Sequence, residues 1–156
     1  MSVEVRNIRI DEINDDNITM LANKMQQYYT ASDTLIEIDV DTVKRNWSAF
    51  LQSGMASVFV LEEDGVIVGI ISGLCYHDPL SGHMVAQEAF WFVDYEYRHR
   101  GYGEALIKTF EEWAISKNAM SVRLAHLVDL RAKENQSLYE GLGYHMAEIS
   151  YEKKLI

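Results

Sequence analysis

The run from Val85 to Gly103 constrains this chain more than any other stretch. Val85 to Val93 is strongly apolar and carries one charge, Glu88, so it reads as a strand. The turn Arg98-x-x-Gly101-x-Gly103 follows, and then an amphipathic helix that buries Leu106, Phe110, Trp113 and Ala114 and ends near Asn118. Ser121 to Val128 is the next strand. Two strands joined through a helix run parallel with a right-handed crossover.

The remaining elements fit around that unit. Val3 to Ile10 alternates as a strand. Asp15 or Asp16 is placed to cap a first helix with Ile18, Leu21, Ala22, Met25, Tyr28 and Tyr29 on one face. Asp39 or Asp41 is placed to cap a second, with Val43, Trp47, Phe50 and Leu51 inward and Gly54 as its stop. Met55 to Leu61 and Val66 to Cys75 read as a hairpin turning at Glu63-Asp64-Gly65. A short helix carries Leu138, Tyr139 and Leu142, and a last strand runs from about Tyr144 to Leu155. The order β-α-α-β-β-β-α-β-α-β predicts an α/β chain with a mixed, mostly antiparallel sheet and helices on its faces.

At 156 residues without a linker or repeat, residues 1–156 are expected to form a single domain. The net charge of −10 disfavours nucleic acid as a partner. Residues 1–64 hold 12 acids and 5 bases, so a cationic ligand is drawn to that half. One cysteine, Cys75, excludes an intrachain disulfide and fits a reducing, cytoplasmic setting. No signal stretch or membrane-length apolar run is present.

The glycine turn has a physical reading of its own. A helix start offers unpaired N–H groups and partial positive charge, where a phosphate fits. Glycines permit close backbone approach, and Arg98 and Arg100 add two local cations. No Gly-Lys-Ser/Thr follows, so it is not a nucleotide P-loop, and the spacing is wrong for a dinucleotide fingerprint.

Val93-Asp94-Tyr95-Glu96-Tyr97-Arg98-His99-Arg100-Gly101-Tyr102-Gly103-Glu104-Ala105-Leu106 resembles the acetyl-CoA signature of the GCN5-related N-acetyltransferases (GNAT). Leu138-Tyr139-Glu140-Gly141-Leu142-Gly143-Tyr144 is similar to that family's later motif, and the element order matches over essentially the whole chain. Phe90-Trp91-Phe92-Val93, Glu112-Trp113-Ala114 and the closing Tyr151-Glu152-Lys153-Lys154-Leu155 together most resemble small bacterial and phage-encoded members. The resemblance implies the GNAT fold: a twisted sheet of six to seven strands, about four helices, and a parallel pair that splays to open a slot. It implies acetyl transfer from acetyl-CoA to a primary amine by direct attack. The pyrophosphate would lie on the N–H groups of His99, Arg100, Gly101, Tyr102 and Gly103, with Arg98 nearby, and the pantetheine arm would pair along the strand at Val93. Tyr139 holds the position of the family's usual general acid. Where many members carry an Asn seven residues before that tyrosine, this chain has Ala132; Asn135 lies four before.

Glu88 is the candidate base, as the lone charge in the apolar strand; a solvated carboxylate, or one paired with Arg123, is the competing reading. Strand parity groups Glu88 with Phe90 and Phe92, opposite Val93, unless a bulge resets it. His77, Asp78 and His83 read as a polar loop, and no metal-ligand spacing is present. Asp33, Glu37, Asp39 and Asp41, with Tyr28, Tyr29 and Trp47, are placed to rim an acceptor pocket suited to a cationic amine. Two other functions stay open: a coenzyme A sensor or protein-interaction module without turnover, and an acetyltransferase acting on a protein lysine or N-terminus. The apolar tail from Tyr144 to Ile156 permits a homodimer.

Overall fold

The structure is a computed structural model that describes residues 1–156. Its sheet is assembled from β1 (Val3–Asn7), β2 (Ala56–Glu63), β3 (Val66–His77), β4 (Met84–Val93) and β5 (Ser121–Arg123). They lie in the order β1-β2-β3-β4-β5. The first four pair antiparallel and β4 pairs parallel with β5, as the helical crossover requires. The helices are α1 (Asp15–Thr30), α2 (Val40–Ser53), α3 (Tyr102–Ser116) and α4 (Ala132–Gly141).

Two apolar clusters flank the sheet. On one face α3 sets Leu106, Ile107, Phe110 and Ala114 against Phe59, Leu61, Ile71 and Ala86. Each large side chain buried there is worth about 1.5–3 kcal/mol. On the other face α1 sets Leu21, Ala22 and Met25 against Val58, Val60, Ile70 and Phe90. The crossover helix and the two early helices thus lie on opposite sides, which leaves the β4–β5 junction as the place where both layers meet.

Several expectations change. The sheet has five strands rather than six or seven, because Tyr144 to Leu155 forms no strand. The β5 edge is only Ser121–Arg123, too short to template a further strand. Met146, Ile149, Tyr151 and Leu155 are correspondingly exposed. β5 itself stops at Arg123 instead of Val128. Beyond Arg123, the N–H of Ala125 goes to the carboxylate of Glu88 rather than to a strand neighbour.

Asn14, not Asp15 or Asp16, caps α1, with its side chain accepting the Asn17 N–H. Asp39 caps α2 by accepting the Thr42 N–H, and Gly54 closes it in a left-handed conformation, both as expected. Phe50, expected inward, is 44% exposed, and α2 has no fully buried residue.

Candidate active site

Parallel pairing between β4 and β5 covers only Val85↔Ser121, Ala86↔Val122 and Gln87↔Arg123. Past that point the chain after β5 leaves the sheet, and β4 from Glu88 onward loses its neighbour on that edge. A cleft of about 490 Å³ opens there. Trp91, Phe92 and Val93 form one wall, His99 to Glu104 lie at the turn, and Leu130, Arg131 and Asn135 close the far side. At the splay, the Ala125 N–H donates to the Glu88 carboxylate rather than to the β4 backbone.

The turn into α3 is shaped by two glycines used in different ways. Gly101 is the N-cap and sits at φ +79°, a left-handed conformation that glycine adopts without cost. Gly103 is needed for space. A Cβ there would lie 2.7 Å from the Trp91 ring, and the Trp91 indole N–H donates to the Gly103 carbonyl at 3.2 Å. The close approach read from the sequence is therefore made by a side chain of this protein. His99 also has positive φ, +63°. The first backbone bond of the helix runs from the Ala105 N–H to the Gly101 carbonyl, so the N–H groups from His99 to Glu104 have no backbone acceptor.

Of the two arginines flanking the turn, only Arg98 lines the cleft. Its Nε donates to the Val93 carbonyl at 2.9 Å, and its guanidinium lies over the Phe92 and Tyr95 rings. Burial lowers its pKa, reinforced by Arg131, without removing its charge in any ordinary pH range. Arg100 turns away. Its guanidinium donates to both carboxylate oxygens of Glu63 at 3.1 Å and stacks over Tyr97. The expectation of two free cations is thus corrected to one from this turn, with Arg131 supplying the second from the start of α4.

Val93, Tyr102, Tyr139 and Glu88 are all buried; neither Tyr139 nor Glu88 lines the cleft, and both bond the backbone of Ala125. The Ser72↔Phe90 and Gly73↔Glu88 pairs leave Ala89 unpaired on β4, a bulge. It breaks the parity between Glu88 and Phe90 expected from a regular strand. Glu88 Oε2 accepts the Ala125 N–H at 3.1 Å, and the Tyr139 hydroxyl donates to the Ala125 carbonyl at 2.9 Å. Burial pushes the Glu88 carboxyl up to about 7, against the smaller opposing effect of the Ala125 N–H. Burial also raises the Tyr139 hydroxyl, with the nearby Glu88 carboxylate adding to it, so the phenol is a proton donor at neutral pH. Arg123, the other expected partner for Glu88, faces Asp78 at 3.6 Å instead. His77 Nδ1 meets the Gly82 carbonyl, and Asp78 accepts the Leu80 and Ser81 N–H groups, so both serve their own loop.

The sequence model of the GNAT acetyltransferase domain matches residues 55–146. The chain belongs to the GNAT acetyltransferase family. It is an acetyl-CoA-dependent N-acetyltransferase, with acetyl-CoA as co-substrate. No curated protein matches the sequence.

Solved structures agree on the fold. A glucosamine-6-phosphate N-acetyltransferase from Arabidopsis thaliana is 17% identical with a TM-score of 0.74, covering 100% of both chains. A ribosomal-protein-alanine N-acetyltransferase from Brucella melitensis biovar Abortus 2308 is 18% identical with a TM-score of 0.71, covering 99% of this chain and 100% of that one. A predicted acetyltransferase with acetyl-CoA from Clostridium acetobutylicum is 14% identical with a TM-score of 0.77, covering 98% of this chain and 96% of that one. Those names span a sugar phosphate and a protein alanine, so for this GNAT chain the likeness carries the architecture and leaves the acceptor to its own residues.

Sequence reasoning missed Trp91 as the partner of Gly103, and Arg131 and Asn135 as cleft walls; of the aromatics expected at the acceptor rim, Tyr28 lines the cleft and Tyr29 and Trp47 do not. The signal for Trp91 was its place in the apolar strand two residues before Val93. Arg131 gave none, since its left-handed backbone at φ +49° is a property of the folded loop.

Proposed function

We propose that this chain acetylates a primary amine on a cationic acceptor by direct attack on acetyl-CoA, with Glu88 as base and Tyr139 as acid. The observation that carries this reading is the buried Glu88 carboxyl, pushed up to about 7 and joined to the Tyr139 hydroxyl through the N–H and C=O of one residue, Ala125. At neutral pH an alkyl ammonium of pKa about 10.4 is neutral about once in 10³, so a base of pKa near the working pH is what the reaction lacks.

The ammonium loses one proton to Glu88, which passes it to solvent, and the neutral nitrogen then bonds to the thioester carbonyl carbon and gives its second proton to Glu88. The C–S bond then breaks, and the departing thiolate takes the Tyr139 proton. Tyr139 must leave the Ala125 carbonyl to do so. The pyrophosphate is assigned to the free N–H groups of His99, Arg100, Gly101, Tyr102 and Gly103, with Arg98 beside them and the pantetheine arm along β4 at Val93. This placement rests on the unpaired helix-start donors and the free β4 edge.

The cationic acceptor rests on the strap between α1 and α2. Asp129 accepts from the Ser32 hydroxyl at 2.6 Å and the Asp33 N–H at 2.7 Å, and Glu152 accepts from the Leu35 N–H at 3.0 Å. Asp33, Glu37, Asp129 and Glu152 have no lysine or arginine partner. A carboxylate group without counter-charge attracts an ammonium. The test is coenzyme A release from acetyl-CoA with polyamines, amino sugars, lysine peptides and neutral aryl amines. Turnover that favours the polycationic amines is expected; release only with neutral amines, or with none, would overturn the reading.

A further inference from the structure

Between α2 and the sheet lies a second pocket, of about 160 Å³, that shares no lining residue with the cleft beside β4. Its roof is Val43, Trp47 and Leu51, and its floor is Val58, Ser72 and Leu74. The space explains why no residue of α2 is fully buried although its apolar face points at the sheet. No lysine, arginine, aspartate or glutamate lines it.

Thr42 and Asn46 bring polar groups to the pocket from α2, and Ser72 is the polar side chain that its floor turns toward α2. Ser72 pairs with Val58 and lies two residues along β3 from Ile70, both in the cluster on the α1–α2 side, so its side chain points toward α2. The residue is 4% exposed. Its Oγ takes part in no hydrogen bond of the fold and opens into the pocket. Ser57 differs: its strand parity with Phe59 and Leu61 turns it toward α3, where its Oγ is sealed in the core without a partner. An unbonded hydroxyl at an accessible apolar surface offers a ligand one O–H donor and two acceptor lone pairs.

We propose that this pocket binds a small neutral aromatic alcohol of about phenol size, with its ring between α2 and the sheet and its hydroxyl on Ser72 Oγ. An apolar cavity of about 150 Å³ holds benzene, so the volume fits a single ring. The uncharged lining excludes ions, which would lose their hydration without compensation. Trp47 and Phe50 provide aromatic surfaces for a ring to pack on. The site is independent of acetyl-CoA, because the cleft residues lie elsewhere.

The test is a titration of the full chain with phenol and with toluene, followed by ¹H–¹⁵N spectra. Both should shift the Trp47 indole N–H saturably. Ser72→Ala should weaken phenol binding by about three- to tenfold, the value of one neutral hydrogen bond, while leaving toluene and acetyl-CoA binding within about twofold. Ser72→Cys, nearly isosteric and a much weaker donor, reads the same preference if Ser72→Ala lowers the melting temperature. Shifts that never saturate, shifts confined to cleft residues such as Tyr28, or an equal loss of phenol and toluene binding would each overturn the proposal.

Discussion

Glu88 and Tyr139 hold opposite ends of one residue: the carboxylate accepts the Ala125 N–H at 3.1 Å and the phenol donates to the Ala125 carbonyl at 2.9 Å. The proposed base and acid come from a strand and a helix distant in sequence. Ala125 bridges them, two residues past the end of β5 where the sheet splays. The candidate catalytic pair thus lies beside the place where β5 parts from β4.

Removing the phenol should separate chemistry from binding. Tyr139→Phe keeps the ring that packs near Trp91, His126 and Tyr144. It should lower kcat by about 10²–10⁴, the usual contribution of a positioned acid, with the KM for acetyl-CoA within about threefold. Steady-state kinetics checks this, and an unchanged kcat would make Tyr139 purely structural. The freed Ala125 carbonyl should also cost about 1–3 kcal/mol of stability, seen as a lower melting temperature.

The two arginines should behave differently. Arg98→Ala should weaken acetyl-CoA binding by about tenfold, because its charge faces the cleft. Arg100→Ala should leave acetyl-CoA affinity within about twofold and act on stability instead, since it leaves Glu63, which is only 9% exposed, without its partner. Calorimetric titration with acetyl-CoA and thermal melts of both variants distinguish them; equal affinity losses would contradict the assignment.

Gly103→Ala should destabilise the protein by about 1–3 kcal/mol, as overpacking does, because its Cβ meets the Trp91 ring. The double variant Gly103→Ala with Trp91→Leu should recover part of the loss. Chemical denaturation of the single and double variants measures the coupling. No recovery would mean that Trp91 is not what confines position 103.

Glu88 should also make stability depend on pH. Its folded pKa is about 7, above the ordinary carboxyl value, so the native state binds the extra proton between roughly pH 4.5 and 7. Burial of Glu88 therefore costs nothing well below pH 4.5, and the cost grows as pH rises from about 4.5 to 7, levelling off above 7 at about 3 kcal/mol. Glu88→Gln should gain stability relative to the parent chain from pH 5 to pH 8. Melts across that range check the sign, and a flat difference would mean that Glu88 is not desolvated.

Much of this architecture was legible in the chain because its signals are local. The apolar run ending at Val93, the glycines before Leu106 and the cap at Asp39 each act within a few residues. The parallel β4–β5 pair followed from topology, and the bulge was foreseen as a condition on Glu88. What could not be read depends on distant partners. The Tyr144–Leu155 segment alternates like a strand, yet strand formation needs an edge, and β5 is too short to provide one. The loss of Arg100 to Glu63 needs the fold to bring residues 37 apart in sequence together. Gly103 looked like a phosphate-approach glycine because nothing local announces that Trp91 packs on it.

The most direct test of the central claim is the pH dependence of kcat/KM for the best amine acceptor, measured from pH 5 to 9 in the parent chain and in Glu88→Gln. The parent should gain activity through an ionisation near pH 7, as the Glu88 carboxyl loses its proton. Glu88→Gln should lose that ionisation and fall in rate by about 10²-fold or more. A profile in Glu88→Gln that matches the parent in shape and height would contradict the account.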